Sequence, residues 1–513
     1  MSLALALVVF GLAVVVAFLQ PMAPDTSVYL LHTRTLLETG TRYVESHDNK
    51  GPVMVWLTAP AVAALGATTE AAAVLRLTTT LLAAVLLYRI LRRTTSRDPG
   101  TLAGAMLLGA ALPFSALLWG DSLRPELYAL VLNATILWAG YRRTAASAFL
   151  AAALTAAIVF MKSILALPAL LMLLGWLVRD VLDTRRPPWK TMCMMVAGGG
   201  LAMAAMLGWL HRHDFLPDWY RQTLEWPAEY RQVVAAEPHA VTDTSSLAAR
   251  LLALYKSSDD PGRPWLMPIK IPITLLRSQV WPLLLLLAWL LWKQRAAGLP
   301  AHTMTWCWLL GVILELGLEH RRWPYPAASL IAPCLVAIIQ LAPSGWSDRH
   351  LLRRIWLASA ILLAGLVWEA ARLVPGRWHG VPMSPYEALT GAMRPLYEPG
   401  EDVLILDNNV SLYLSLPAPR PHPILAVHAA MVNDTERETL RRHLLTNPPR
   451  WLTGKTPAHT GIRFRREQDE LEIELVNGEL LISGPYQLVL ETNGAWARKL
   501  ASETAHQGAT GRP

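Results

Sequence analysis

Long apolar runs alternate with short charged breaks from the first residue to about position 373. A helix that crosses a bilayer needs about 20 mostly apolar residues. Met1 to Pro24 carries no charged residue, and ten further runs lie near 70–88, 101–119, 126–141, 144–161, 163–178, 191–210, 273–292, 303–318, 326–343 and 355–373. The pattern predicts eleven membrane-spanning helices. The first run lacks the basic leading residues and short apolar core of a signal peptide, so it reads as an uncleaved span. Pro52 to Ala67 is short for a crossing, and residues 26–38 mix apolar and polar positions at helical spacing. Both read as helices lying along the membrane interface.

Lysine and arginine give the orientation. They cluster at Arg89, Arg92, Arg93 and Arg97, at Arg142 and Arg143, and at Arg179, Arg185, Arg186 and Lys190. They recur at Lys293 and Arg295 and at Arg349, Arg353 and Arg354. These clusters fall in every second loop. All are cytoplasmic if the N-terminus is cytoplasmic and everything after residue 374 lies outside, in the inner (plasma) membrane of a bacterium. Counting residues 52–67 as a span would reverse all five.

Composition agrees. The chain of 513 residues is 53% hydrophobic and 16% charged, against about 25% charged in soluble domains. The net charge of +8 resides mostly in the loop clusters, so it gives no reason to expect a nucleic-acid partner. Cys193, Cys307 and Cys334 all sit in apolar stretches, where no extracytoplasmic disulfide is expected.

After about residue 374 the character changes. Charges return, prolines cluster and short alternating runs appear, with Asn477-Gly478 between two of them as a hairpin signal. The reading is a polytopic α-helical membrane protein with a small C-terminal extracytoplasmic α/β domain. Residues 1–373 form the membrane domain, 374–501 the soluble domain and 502–513 a disordered tail.

With this topology, polar residues gather on the outer face. The first outer loop holds Asp25, Tyr29, Tyr43, Lys50, Gly51 and Pro52, and the next outer turn, GDSLRPELY, holds Asp121, Arg124 and Glu126. Lys162 stands at the outer end of a span, and EHRRWPYP contributes Arg321, Arg322 and Tyr325. Lone lysines commonly snorkel to headgroups. Two arginines on the outside run against the positive-inside trend and point to an anionic ligand such as a phosphate, a need that lipid headgroups would also satisfy.

The order of these residues resembles the GT-C membrane glycosyltransferases, and within them the protein O-mannosyltransferase and lipid A aminoarabinose transferase group. The matching features are Asp25 at the end of the first span, Tyr29, Gly40, Tyr43 and Lys50-Gly51-Pro52 before an interfacial apolar helix. Arg76 near the start of the next span, MKSILALPALLML and HRRWPYPAASLIAPCL also fit. Three departures stand out. Many relatives have an acid directly after the first aspartate, where this chain has Thr26, the usual Lys-Pro-Pro is Lys50-Gly51-Pro52, and the spacing from Arg322 to Tyr325 is slightly compressed.

The resemblance implies a GT-C fold and inverting transfer of a hexosyl or pentosyl group from a polyprenyl-phosphate donor. The acceptor is a lipid, glycan or protein hydroxyl, and the setting is cell-envelope synthesis, such as lipopolysaccharide modification or protein glycosylation. A carboxylate removes the acceptor proton, and Asp25 is the candidate. Fixed cations face the departing phosphate, with Lys50, Arg321, Arg322 and Lys162 as candidates, and Tyr325 joins them as a phosphate-binding hydroxyl. Glu126 and Asp121 orient a substrate or share a metal with Asp25, and Tyr29 and Tyr43 contact substrate. No cofactor is expected, with a divalent metal left open. A transporter would show charges at mid-membrane and two related halves. A non-catalytic envelope scaffold would give no reason for acids and bases grouped on one face.

Overall fold

The computed structural model describes residues 3–40, 51–118, 123–220, 223, 267–277, 279–294, 302–318, 325–405, 411–416, 420–421, 441–442, 444–446, 448–455, 462–467, 472–476, 479–492 and 495–500. Among the described residues, helices dominate the first 378 positions. In chain order they are α1 (Leu3–Leu19), α2 (Pro24–Thr39), α3 (Pro52–Leu65), α4 (Thr69–Thr94), α5 (Pro99–Ala111) and α6 (Pro125–Arg142). Next come α7 (Ala145–Val159), α8 (Ala166–Thr184), α9 (Trp189–Arg212) and the short α10 (Leu216–Tyr220). Then follow α11 (Met267–Arg277), α12 (Trp281–Gln294), α13 (Thr303–Leu318), α14 (Ile331–Leu341) and α15 (Asp348–Trp378).

Among the described residues, four helical segments are long and apolar enough to cross a membrane: Thr69–Thr94, Ser163–Thr184, Trp189–Arg212 and Asp348–Trp378. Leu3–Leu19 and Pro24–Glu38 meet at a bend of 68°, so α2 leaves the direction of α1. Several further apolar helices are shorter. Together they make a polytopic membrane fold. Two expected runs end differently. The run at 101–119 is α-helical only to Ala111, after which two short 3-10 turns follow, Leu112–Phe114 and Ala116–Leu118. The run at 273–292 is two helices, parted by a turn in which Gln279 has φ +58°.

Without a hydrophobic drive between helices in lipid, close backbone packing holds such a bundle. At Gly311 of α13 a Cβ would come within 2.4 Å of the Pro168 backbone of α8, so only glycine lets these two helices approach. Buried polar ties supplement the packing. The Arg76 guanidinium of α4 donates to Gln20 Oε1 and the Ala17 carbonyl at the end of α1, both at 2.7 Å.

The basic loops assemble at one end of the bundle. Arg97 donates to the carbonyls of Trp346, Ala342 and Pro343 at 2.7, 2.8 and 2.7 Å. Arg354 lies over the rings of Trp289 and Trp346, and Lys293 over Trp289. Arg143 pairs with Asp183 at 2.6 Å. Gln340 Nε2 donates to Tyr141 at 3.0 Å and Thr94 at 3.4 Å, which joins the ends of α4, α6 and α14. At the opposite end, Arg377 of α15 donates to the Leu19 carbonyl at 2.9 Å.

The chain then changes to short helices and strands. α16 (Pro385–Met393) and α17 (Ser411–Ser415) accompany a five-stranded mixed sheet. Its strand order is β2 (Arg420–Pro421), β1 (Asp402–Ile405), β3 (Trp451–Lys455), β8 (Ala495–Leu500), β7 (Tyr486–Thr492). A second sheet orders β4 (Ile462–Glu467), β6 (Glu479–Gly484) and β5 (Glu472–Val476). Val476 pairs with Glu479 in the antiparallel β5–β6 ladder, the register of a two-residue hairpin connection. Leu31 of α2 belongs to the core made by Tyr386, Leu389, Met393, Tyr413 and Trp451. Arg34 of α2 donates to the Tyr413 carbonyl at 3.1 Å, and Arg377 grips Glu387 of α16 through two bonds of 3.0 and 2.6 Å. The strand-containing region is thus docked on α2.

Candidate functional site

The site lies at the end of the bundle opposite the basic loops, where four separated stretches of sequence meet. Pro24 at the first helical position starts α2 and puts Asp25 in its first turn, exposed. The next residue, Thr26, is 1% exposed. Its hydroxyl oxygen accepts from the backbone N–H of Leu123 at 2.7 Å. The neighbour of Asp25 thereby holds the turn that leads into α6. Thr26 is the position where many GT-C relatives carry an acid, and its oxygen keeps an acceptor there.

Glu126 occupies the first turn of α6 and is 5% exposed. The Lys162 ammonium donates to its Oε1 at 2.8 Å. The Arg124 guanidinium, itself buried, adds a second positive charge acting on the same carboxylate. In a membrane protein a buried ionisable pair is costly and usually functional. Glu126 is therefore partnered by a candidate phosphate-binding lysine.

Gly51 supplies the fourth stretch. Its N–H donates to the Met161 carbonyl at 3.1 Å, beside Lys162. A Cβ at Gly51 would fall 1.4 Å from the Phe160 carbonyl oxygen, so no other residue fits this contact without parting the segments. This accounts for the second departure from the GT-C pattern. Tyr29, one helical turn beyond Asp25, is buried with Met54, Leu123, Tyr128, Phe160 and Met161, so it packs the floor of the site. Phe160 stacks on Trp219 at 5.1 Å, and Trp56 meets Trp209 edge-on at 4.8 Å, an aromatic border of the kind found at membrane interfaces.

Tyr43, Lys50, Asp121, Arg321 and Arg322 lie outside the described residues, as does the side chain of Tyr325. The backbone of Tyr325 begins a 3-10 segment, Tyr325–Leu330, which packs against α6 and α13. Among the described residues no group of three or more His, Cys, Asp or Glu gathers to hold a metal ion. Asn133 of α6 and Glu315 of α13 were not singled out in the sequence, yet both are buried and line one small cavity with Glu126. The signal available was a polar residue inside each of the apolar runs LVLNATIL and GVILELGL.

No protein-family model and no curated protein sequence matches the chain. Solved structures do. The chain is similar to the crystal structure of ArnT from Cupriavidus metallidurans bound to undecaprenyl phosphate, with a TM-score of 0.55 and 13% identity over 97% of both chains. It is likewise similar to the same protein in the apo state, with a TM-score of 0.53 and 14% identity over 97% of each chain. The resemblance to the GT-C membrane glycosyltransferases therefore holds at the level of the fold alone, over 97% of the chain.

Proposed function

We propose that this protein is an inverting membrane glycosyltransferase that moves a sugar from a polyprenyl-phosphate donor to a hydroxyl on the outer face of the plasma membrane. The observation that carries the reading is the buried Glu126–Lys162 pair, set beside the turn that Thr26 ties to the Asp25 helix. A carboxylate and a fixed cation within one polar site are the two groups such a transfer requires. The similar fold of a protein whose structure holds undecaprenyl phosphate supports the same class of donor.

In this reading the acceptor hydroxyl oxygen attacks C1 of the sugar while Asp25 takes its proton. The bond from C1 to the phosphate oxygen breaks, and the electron pair leaves with the polyprenyl phosphate. Lys162, held by Glu126, faces the growing negative charge, with Lys50, Arg321 and Arg322 completing the cationic side. Asp121 orients the acceptor, Tyr325 meets the donor phosphate and Tyr43 contacts substrate. The acceptor is a lipid, glycan or protein of the envelope, chosen by the C-terminal region docked on α2. The basic loops then lie in the cytoplasm, as does the N-terminus.

The test uses the purified full chain in nanodiscs with a radiolabelled undecaprenyl-phosphate pentose or hexose and an envelope lipid extract. Wild type transfers label, and Asp25→Asn at equal folding loses at least about a thousandfold, the scale of a general base. An Asp25→Asn variant with wild-type activity removes Asp25 as the base, and an inert wild type across such donors removes the reading.

A further inference from the structure

Below the Glu126–Lys162 pair, α6 and α13 face each other across a small cavity of mixed polar and apolar lining. Glu126 and Asn133 lie seven residues apart on one face of α6, while Trp308, Val312 and Glu315 line the other wall and Ser329 closes it. Asn133 is 4% exposed and Glu315 is 2% exposed. Among the described residues Glu126 Oε2 and Asn133 Oδ1 have no hydrogen-bond partner. The two acceptors therefore border a cavity with room for about one water molecule. Leaving a buried acceptor without a donor is costly, and more so for a charged one. A water supplies two O–H donors, and buried water is found where polar atoms otherwise lack partners.

Resting on the donor-phosphate role of Lys162, we propose that this cavity holds an ordered water molecule and that Asn133 and Glu315 are positioning residues. The water's two O–H groups go to Glu126 Oε2 and Asn133 Oδ1 while Glu315 lines its other side, and Glu126 in turn fixes the Lys162 ammonium that meets the donor phosphate. The site is a relay of position. Neither Asn133 nor Glu315 touches the sugar.

The experiment measures undecaprenyl phosphate affinity in nanodiscs for wild type, Lys162→Ala, Asn133→Leu, Glu315→Leu and Glu315→Gln, beside a cryo-EM map of the wild type sharp enough to show ordered water. Leucine preserves side-chain volume and would satisfy a packing role, whereas glutamine keeps a hydrogen-bonding group. The proposal expects water density in the cavity. It expects affinity weakened about tenfold by each leucine, the scale of one lost hydrogen bond, and kept within about twofold by Glu315→Gln. Leucine variants with wild-type affinity, alongside a weakened Lys162→Ala, overturn the relay and leave the transferase reading intact. Should Lys162→Ala bind as wild type, the phosphate role of Lys162 fails instead, and the cavity density alone decides whether the water is there. A dry cavity in the wild-type map overturns the proposal.

Discussion

Replace Lys162 by methionine and the Glu126 carboxylate stays buried at 5% exposure, stripped of the ammonium that stood 2.8 Å away. Breaking a buried pair by removing one partner costs about 3–5 kcal/mol, chiefly because the remaining charge is uncompensated. Arg124 still acts on the carboxylate, so Lys162→Met belongs near the low end, about 3 kcal/mol. Glu126→Leu alone leaves the ammonium, whose side chain is 18% exposed, with a route to water and a smaller cost of about 2 kcal/mol. The double variant removes both charges and should be destabilised by less than Lys162→Met alone, giving a coupling energy of about 2–3 kcal/mol. The assay is unfolding of the nanodisc- or micelle-held protein against added dodecyl sulfate for all four members of the cycle. Donor binding is measured on the same samples, and the double variant should regain stability without regaining affinity. Additive losses within about 0.5 kcal/mol would refute a tight buried pair.

Three further outcomes follow from the same geometry. Gly51→Ala drives a Cβ to 1.4 Å from the Phe160 oxygen, and the displaced Lys162 segment should cut transfer about a hundredfold; wild-type kinetics would show that the contact is dispensable. Thr26→Val leaves the buried Leu123 N–H unsatisfied and should cost about 1–3 kcal/mol in the same unfolding assay, whereas Thr26→Ser keeps most of the stability. In the C-terminal region, burial works to raise the Glu401 carboxyl. The Trp451 indole at 2.7 Å, the Glu398 N–H at 3.0 Å and the Lys499 ammonium at 2.9 Å outweigh it and hold the group below the usual carboxylate range. A lowered folded pKa stabilises above the unfolded value of about 4.3 and is lost as pH falls through the folded one. Glu401→Gln should therefore melt below wild type at pH 7, and the gap should close below about pH 4.

Hydrophobic patterning reached furthest where one element ran uninterrupted. α4, α6, α7 and α9 lie within a few residues of the expected runs, because length and apolar content alone decide a lipid-facing helix. It missed breaks that depend on tertiary contacts. Gln279 takes a left-handed conformation that favours glycine, and nothing in SQVWP predicts that. In the site, charged residues in outer turns marked Asp25, Glu126 and Lys162 as candidates. That Glu126 pairs with Lys162 was not legible, since the two stand 36 positions apart and only the packing of the two helices between them brings them together. Thr26 and Gly51 were visible as departures from the GT-C pattern. Their reasons, a hydrogen bond to Leu123 and a close approach to Phe160, exist only in three dimensions. Asn133 and Glu315 stood in plain view as polar residues in apolar runs, and counting loops rather than span interiors passed over them.

Sugar transfer at this site depends on where the donor phosphate sits. A cryo-EM structure of the wild-type protein in nanodiscs with undecaprenyl phosphate measures this directly. The phosphate should lie within about 3 Å of Lys162 Nζ, the reach of a charge-assisted hydrogen bond, and on the side of Lys162 that opens toward Asp25. A phosphate held at the basic-loop end of the bundle, or bound away from Lys162 altogether, would contradict it.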